Sequence, residues 1–352
     1  MTSRTKRFVM GFTVLVGVGT VIGVATWPQI AISMAPKKRP ATSRSAAAVA
    51  ADSVFWRTLH SGAYDQLPRA IEVLTRAYVA TPGDAVTASH IGWLHIWRMA
   101  EASRLGSAPA SITDDIVLSR KYFQESVALD PADARKLGFL GGSMVAEGTV
   151  DRNEKLIRRG YYTMRDAIDA WPEFNLFTAG FVMSRTPSAS PRFREALEWQ
   201  WRTLDLCSGE RIDRENPDYS RAMALETQEG TKRACWNSWI APHNFEGFFL
   251  NMGDMLVKSG DWKTAQKVYA IARLSRTYAV WPYRPVLEKR IRQAHQNVAV
   301  FNAAGTGGRT GLMIRSAFAC MACHQDDRAS SVATGWRQPA RPVGQWQDRV
   351  IR

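Results

Sequence analysis

The feature that most constrains the fold is a recurring spacing of a small residue, a large residue, a small residue and a proline. It occurs three times in full and once without the proline: Ala70, Leu74, Ala77 and Pro82; Ser119, Phe123, Ser126 and Pro131; Gly160, Met164, Ala167 and Pro172; Ala265, Tyr269 and Ala272. Small residues on one helix face allow a neighbouring helix to approach closely, and proline ends the helix. Between about residues 52 and 298 apolar residues recur at helical spacing, with no sustained strand alternation. The body is therefore predicted to be all-α.

A second pattern supplies the partner helices, because an apolar residue followed by glycine precedes three of these sets. These pairs are Ile91-Gly92, Leu140-Gly141 and Met252-Gly253, and the longest match is Phe249, Met252, Gly253, Leu256, Gly260, Ala265, Tyr269 and Ala272. The combined pattern resembles the tetratricopeptide repeat. That resemblance implies an all-α, tetratricopeptide-like helical-hairpin solenoid whose concave face binds a protein partner. An irregular helical array is the alternative.

The proline markers are farther apart than the family's period of about 34 residues. We therefore expect inserted loops near residues 105–113 and 145–153. A fourth repeat, around residues 181–206, is too degraded in sequence to place. Thirteen Trp and nine Tyr are expected to serve mainly as helix core.

The amino-terminal 35 residues predict a membrane-associated segment. Three basic residues fall within residues 1–7, no charged residue occurs from 8 to 35, and residues 8–25 are strongly apolar. We expect one N-terminal transmembrane helix left uncleaved, with a cleaved signal segment as the alternative. Residues 36–52 are predicted to be a linker, residues 53–300 the repeat domain, and residues 301–352 a Gly-rich hinge and irregular basic tail.

Basic residues on both sides of the apolar stretch nearly balance, so the positive-inside rule alone does not settle orientation. We predict a bacterial inner-membrane protein with a single span and its soluble body in the periplasm. A body on the cytoplasmic face is the alternative. The net charge of +14 favours anionic surfaces without selecting one, and no nucleic-acid partner is expected.

The strongest chemical motif is Cys320-Met321-Ala322-Cys323-His324, which reads C-x-x-C-H. Two thiols at this spacing suit addition to the two vinyl groups of a haem, and the adjacent imidazole suits its iron. The motif resembles that of c-type haem proteins, which implies haem c held by Cys320 and Cys323 with His324 as the proximal ligand. The alternatives are a redox-active or structural disulfide between the two cysteines, and a metal site such as zinc, which would need a further ligand from elsewhere.

We do not expect a complete cytochrome fold, because the 28 residues after His324 contain no Met and no His. The sixth iron position is predicted either to be open to solvent or to be filled from the helical body, with Met313, His295 and His243 as candidates. His90 and His95 are spaced five apart, so they do not share a helix face and are interpreted as structural. The tail is predicted either to be mobile and presented to a partner or to pack along a last helix, Val286–Val298.

Two further cysteines, Cys207 and Cys235, enclose a polar insertion and are predicted to form a disulfide in an oxidising compartment. No hydrolase triad, phosphate loop or H-E-x-x-H run is found, so no catalytic residue is assigned and an enzyme is not expected. The sequence favours a membrane-anchored periplasmic haem protein that serves a partner in electron transfer or assembly. The alternatives are a haem-free scaffold or assembly factor with a disulfide in the tail, and a thiol-redox protein that uses Cys320 and Cys323.

Overall fold

The computed structural model describes residues 27, 30–101, 110–225, 227, 229–236, 239–303 and 320–326. The chain divides into two compact units, Met1–Arg39 and Pro40–Arg352. In the first unit residues 30–33 are helical. The predicted span over residues 8–25 lies outside the described residues, and no helix within the described ranges is long and apolar enough to cross a bilayer.

The second unit is built from helices, which confirms the all-α prediction over the described part of the chain. In chain order these are α1 Ala46–Ser61, α2 Leu67–Ala80, α3 Ala85–Ala100, α4 Ile112–Leu129, α5 Ala134–Val150, α6 Glu154–Ala170, α7 Pro172–Met183, α8 Pro191–Ser208, α9 Ser220–Met223, α10 Arg233–Trp236, α11 Asn244–Ser259, α12 Trp262–Ile271, α13 Arg284–Phe301 and α14 Met321–His324. Consecutive long helices pack against each other, most extensively α5 with α6 and α3 with α4.

Local sequence sets where these helices begin and end. Side chains that accept a backbone N–H cap six of them: Ser45, Asp84, Asp133, Asn153, Ser190 and Asp261. Such caps satisfy donors that the first helical turn leaves without partners. At the other end, Gly62, Gly209 and Gly260 adopt left-handed backbone geometry just after α1, α8 and α11.

The glycines of the repeat pattern are contact points between paired helices. An added Cβ on Gly92 of α3 would lie 2.9 Å from the Phe123 ring of α4, and one on Gly253 would lie 2.2 Å from the Tyr269 ring of α12. A Cβ added to Gly141 of α5 would likewise lie 2.7 Å from Met164 Cγ of α6. In each case the glycine of the first helix receives the large residue of the second.

A fourth helix pair, which the sequence left unplaced, is formed by α7 and α8. Gly180 of α7 faces α8, where a Cβ would lie 2.0 Å from Gln200 Nε2 and 3.1 Å from the Ala196 carbonyl oxygen. Ala196, Gln200 and Thr203 repeat the small, large, small spacing, and all three are buried. Gln200 donates to the Phe177 carbonyl at 3.1 Å, so its amide is paired across the interface.

The insertion after α8 is closed by a disulfide between Cys207 and Cys235, as predicted. Both cysteines are buried. The bond joins residues 28 apart, and on the chain-entropy account a loop of this length stabilises the fold by about 3 to 4 kcal/mol.

Helix α11 is the most deeply buried element, since every residue from Glu246 to Lys258 is buried. Asp254, which is 0% exposed, accepts hydrogen bonds from the Tyr269 hydroxyl and from Arg290 Nε, the latter at 3.0 Å. This network joins α11 to α12 and α13. One turn from the start of α11, Gly247 contacts α14 and thus places the C-x-x-C-H motif.

Candidate haem-attachment site

The C-x-x-C-H motif forms a single helical turn, α14. The backbone amides of Cys323 and His324 both donate to the Cys320 carbonyl at 3.3 Å. Because residues three and four apart lie on one helix face, the turn places Cys320, Cys323 and His324 on the same side. All three line one cavity of the second unit.

Residues far apart in sequence hold this turn in place. Four hydrogen bonds fix its backbone: Cys320 N to Glu101 Oε1 at 3.0 Å, His243 N to the Cys323 carbonyl at 3.1 Å, Trp281 Nε1 to the Ala322 carbonyl at 2.8 Å, and Asp326 N to the His60 carbonyl at 2.9 Å. The turn also packs against α1 and α11. The described part of the tail, residues 320–326, is therefore docked into the helical body.

The close approach of α14 to α11 depends on Gly247. A Cβ at this position would lie 2.1 Å from Cys323 Sγ and 3.3 Å from Cys323 Cβ. Real Cβ atoms do not come this close to a sulfur atom, so only glycine allows the observed placement of the thiol.

The imidazole of His324 has one nitrogen committed and one available. Its Nδ1 lies 2.9 Å from the Ile240 carbonyl oxygen. A carbonyl can only accept, so Nδ1 carries the proton and Nε2 keeps its lone pair. A ligating histidine usually has this arrangement, with its second nitrogen donating to a carbonyl or carboxylate. Burial lowers the pKa of His324 to about 4, which keeps the ring neutral, and Trp93 contacts it edge-on with ring centroids 5.7 Å apart.

The cavity has a volume of about 1940 Å³. This exceeds the roughly 300–1,000 Å³ of usual small-molecule sites, so it has room for a cofactor as large as a porphyrin. Its wall is rich in aromatic side chains, among them Trp56, Trp93, Phe139, Phe174, Phe177 and Trp239. A planar apolar macrocycle suits such a lining.

The two motif cysteines are free thiols in the structure. Burial raises the pKa of Cys320 well above its usual value, and the nearby Glu101 carboxylate adds to this effect. Burial likewise raises the pKa of Cys323 to about 12, with a smaller contribution from Glu246. Thiols that exchange disulfides need a lowered pKa, so this environment disfavours the thiol-redox alternative.

Two candidates for a sixth iron ligand, His243 and His295, do not line the cavity. His295 lies on α13 with its ring against Trp262, at a centroid distance of 5.0 Å, and does not line the cavity wall. His243 is buried, its Nδ1 lies 3.5 Å from Glu246 Oε1, and it too is absent from the wall. Met313 lies outside the described residues. Within the described ranges, no group of three or more His, Cys, Asp or Glu side chains could hold a metal ion.

Sequence reasoning missed His90, which does line the cavity. Its Nδ1 lies 2.9 Å from Asp52 Oδ1, and its ring stacks on Phe55 at a centroid distance of 4.1 Å. The available signal was its position one turn before Trp93, since residues i and i+3 of a helix share a face. His95, by contrast, is buried with Nδ1 2.7 Å from Asp115 Oδ1, a structural contact.

The pKa of His324 gives a prediction for the haem-free protein. The pKa of His324 is about 4 in the folded protein and 6.5 when the chain is unfolded. Between pH 4 and pH 6.5 the folded state therefore binds fewer protons than the unfolded state. The contribution of His324 to stability is therefore lost as the pH falls from 6.5 towards 4. We expect the stability advantage of the wild type over His324→Gln, measured by urea unfolding, to shrink by about 2 kcal/mol between pH 7 and pH 4. An advantage that does not change with pH would contradict this assignment.

Comparison of the chain with protein-family models, with curated proteins and with solved structures finds no match. The geometry of the site therefore carries the functional argument.

Proposed function

We propose that this protein is a c-type haem protein whose haem is held inside a helical array and serves a partner protein in electron transfer or assembly. One observation carries the proposal: Cys320, Cys323 and His324 lie on one turn and face a single large aromatic cavity. Isolated in a solvent-exposed tail, the same motif would be only a sequence match. Docked at the cavity wall, it combines the attachment chemistry with space for the cofactor.

Three residues of the motif would hold the haem. Cys320 and Cys323 would each add to a vinyl group, so that a C–S bond forms and the thiol hydrogen moves to the neighbouring vinyl carbon. His324 would present Nε2, because its Nδ1 is held by the Ile240 carbonyl. Haem bound there would supply a one-electron redox centre. The aromatic side chains of the cavity wall would pack against it.

The raised thiol pKa values of Cys320 and Cys323 argue against thiol exchange. A cysteine that remains protonated at neutral pH is a poor nucleophile towards disulfides. The bonds from Glu101, His243 and Trp281 instead fix the motif as a permanent part of the wall. This supports a structural attachment role over a catalytic dithiol.

We further propose that the helices form a tetratricopeptide-like solenoid with a partner-binding face. Three glycine contacts support it, those of Gly92 with Phe123, Gly141 with Met164 and Gly253 with Tyr269. Each occupies the family's position for close helix pairing. A partner protein on this array would receive or donate the electron.

The location proposed is the bacterial inner membrane, with a single N-terminal span and the body in the periplasm. The apolar residues 8–25 support the span. The bond between Cys207 and Cys235 supports an oxidising compartment for the body, because such bonds are rare in the cytosol.

The test is expression of the full chain with a bacterial haem-maturation system, followed by purification from the membrane fraction. Oxidised and dithionite-reduced visible spectra and haem staining after denaturing electrophoresis are recorded. We expect a stained band that survives denaturation and is lost in Cys320→Ala and in Cys323→Ala. The paired change Cys207→Ser with Cys235→Ser is the matched control, because it removes two cysteines of the same cavity wall and should keep the haem.

Staining that persists in both Cys320→Ala and Cys323→Ala would reject attachment through these cysteines. A colourless wild-type protein would reject the haem and leave the function of a haem-free scaffold or assembly factor.

A further inference from the structure

Arg185 lines the cavity and has no counter-charge among the residues that the structure describes. It lies in the connection between α7 and α8, and its electrostatic interaction with Cys320 places it on the motif side of the cavity. None of the residues described in the structure forms an ion pair or hydrogen bond with its guanidinium. The Arg185 side chain is exposed to solvent within the cavity. The protein around it nevertheless limits its hydration and lowers its pKa.

Three other basic residues of the cavity wall are paired within the described part of the chain. Arg135 Nη2 lies 2.6 Å from Asp133 Oδ2, Arg192 Nη2 lies 3.5 Å from Glu154 Oε1, and Lys136 pairs with Asp130. Arg152 lines the cavity without an ion pair among the described residues, but of these two arginines it is Arg185 that interacts electrostatically with Cys320 of the motif. A guanidinium that lines a cavity without a counter-charge favours an anionic ligand there.

A buried lysine fixes the backbone around Arg185. Lys258 Nζ on α11 donates to the carbonyl oxygens of Ser184 and Thr186, both at 2.8 Å. These two residues flank Arg185 directly. Lys258 is 2% exposed, and burial lowers its pKa to about 8, so at neutral pH it retains its proton. The connection is thus held at both sides of the arginine, which limits the directions its side chain can take.

We propose that Arg185 binds a carboxylate of the cavity's occupant and, on the function proposed above, a haem propionate. The planar guanidinium matches a carboxylate with two parallel N–H···O bonds, a geometry that lysine cannot reproduce. Cys320 and Arg185 then hold the same cofactor through different chemistry. The thiol binds its apolar edge covalently, and the guanidinium binds its charged edge.

The experiment uses the full chain with Cys320→Ala and Cys323→Ala, so that binding of ferric haem is reversible and a Kd is measurable. Ferric haem and its dimethyl ester, which lacks both negative charges, are titrated separately by absorbance. Arg185→Gln should weaken haem binding by about ten-fold or more and leave binding of the ester unchanged. The haem Kd of Arg185→Lys should fall between those of the parent protein and Arg185→Gln. Lysine keeps the positive charge but cannot donate two parallel hydrogen bonds to a carboxylate.

Arg192→Gln is the matched control, since Arg192 lines the same cavity but already pairs with Glu154, and it should leave both Kd values unchanged. An equal loss for haem and ester in Arg185→Gln, or no loss for either, would overturn the assignment of Arg185 and leave the proposed function standing. Failure of the parent protein to bind either ligand, together with no covalent haem in the wild type, would overturn both.

Discussion

Replacing Gly247 with alanine is expected to lower the haem content of the mature protein by about ten-fold or more, because a misplacement of about 1 Å is enough to disrupt a reacting site. The added Cβ would lie 2.1 Å from Cys323 Sγ and 3.3 Å from Cys323 Cβ. The thiol must turn away or α14 must move off α11. Either change removes the sulfur from the position it shares with Cys320 and His324.

The measurement is haem stain per unit of protein after denaturing electrophoresis, with helix content followed by circular dichroism. Gly142→Ala is the control, because Gly142 also lines the cavity but its added Cβ would meet only a methyl group of Val182, at 3.1 Å. Wild-type haem content in Gly247→Ala would show that the contact with α11 does not place the thiol.

Asp254→Ala is expected to destabilise the protein by about 4 kcal/mol, since it removes one partner of a buried ion pair with Arg290. Asp254 is fully buried and Arg290 is 5% exposed, so water cannot replace the lost carboxylate. The Tyr269 hydroxyl loses its acceptor as well. Guanidinium unfolding of the wild type and Asp254→Ala measures the difference in their free energy of unfolding, provided that the m-values are equal.

Glu72→Ala is the matched control for this change. Glu72 also pairs with arginines, Arg69 at 2.7 Å and Arg76, but all three side chains are exposed on α2. Its removal should leave the unfolding midpoint nearly unchanged, as is usual for surface pairs. Similar effects of the two substitutions would mean that the buried network contributes no more than a surface pair.

Much of the helical body could be predicted from the sequence. The buried face of a helix requires apolar residues at helical spacing, and this spacing can be read directly from the sequence. The pair α7 and α8 was not predicted, because Gln200 occupies the large-residue position of the small, large, small pattern. A polar residue there does not fit a pattern of apolar spacing. In the structure Gln200 Nε2 donates to the Phe177 carbonyl, and the glutamine fills the position that Phe123 and Met164 occupy in other helix pairs. Polar residues whose partners lie on another helix cannot be assigned from local patterns.

Of the candidate site, the sequence predicted only the C-x-x-C-H motif. Cys320, Cys323 and His324 were identified because their spacing is itself the chemical requirement. Their surroundings were not, since Glu101 and Ile240 contact the motif across 219 and 84 residues of chain. His243 and His295 were chosen as iron ligands by residue type alone, and tertiary structure directs both rings elsewhere.

The four backbone bonds that hold α14 have a consequence for the order of events during biosynthesis. His60, Glu101, His243 and Trp281 are all translated before the motif, so the niche that receives it can be complete while the cysteines are still outside. On the function proposed above, the motif would be the last part of the site to reach its place. A change that keeps the turn from docking, such as Gly247→Ala, would therefore leave the cavity complete but without its attachment point.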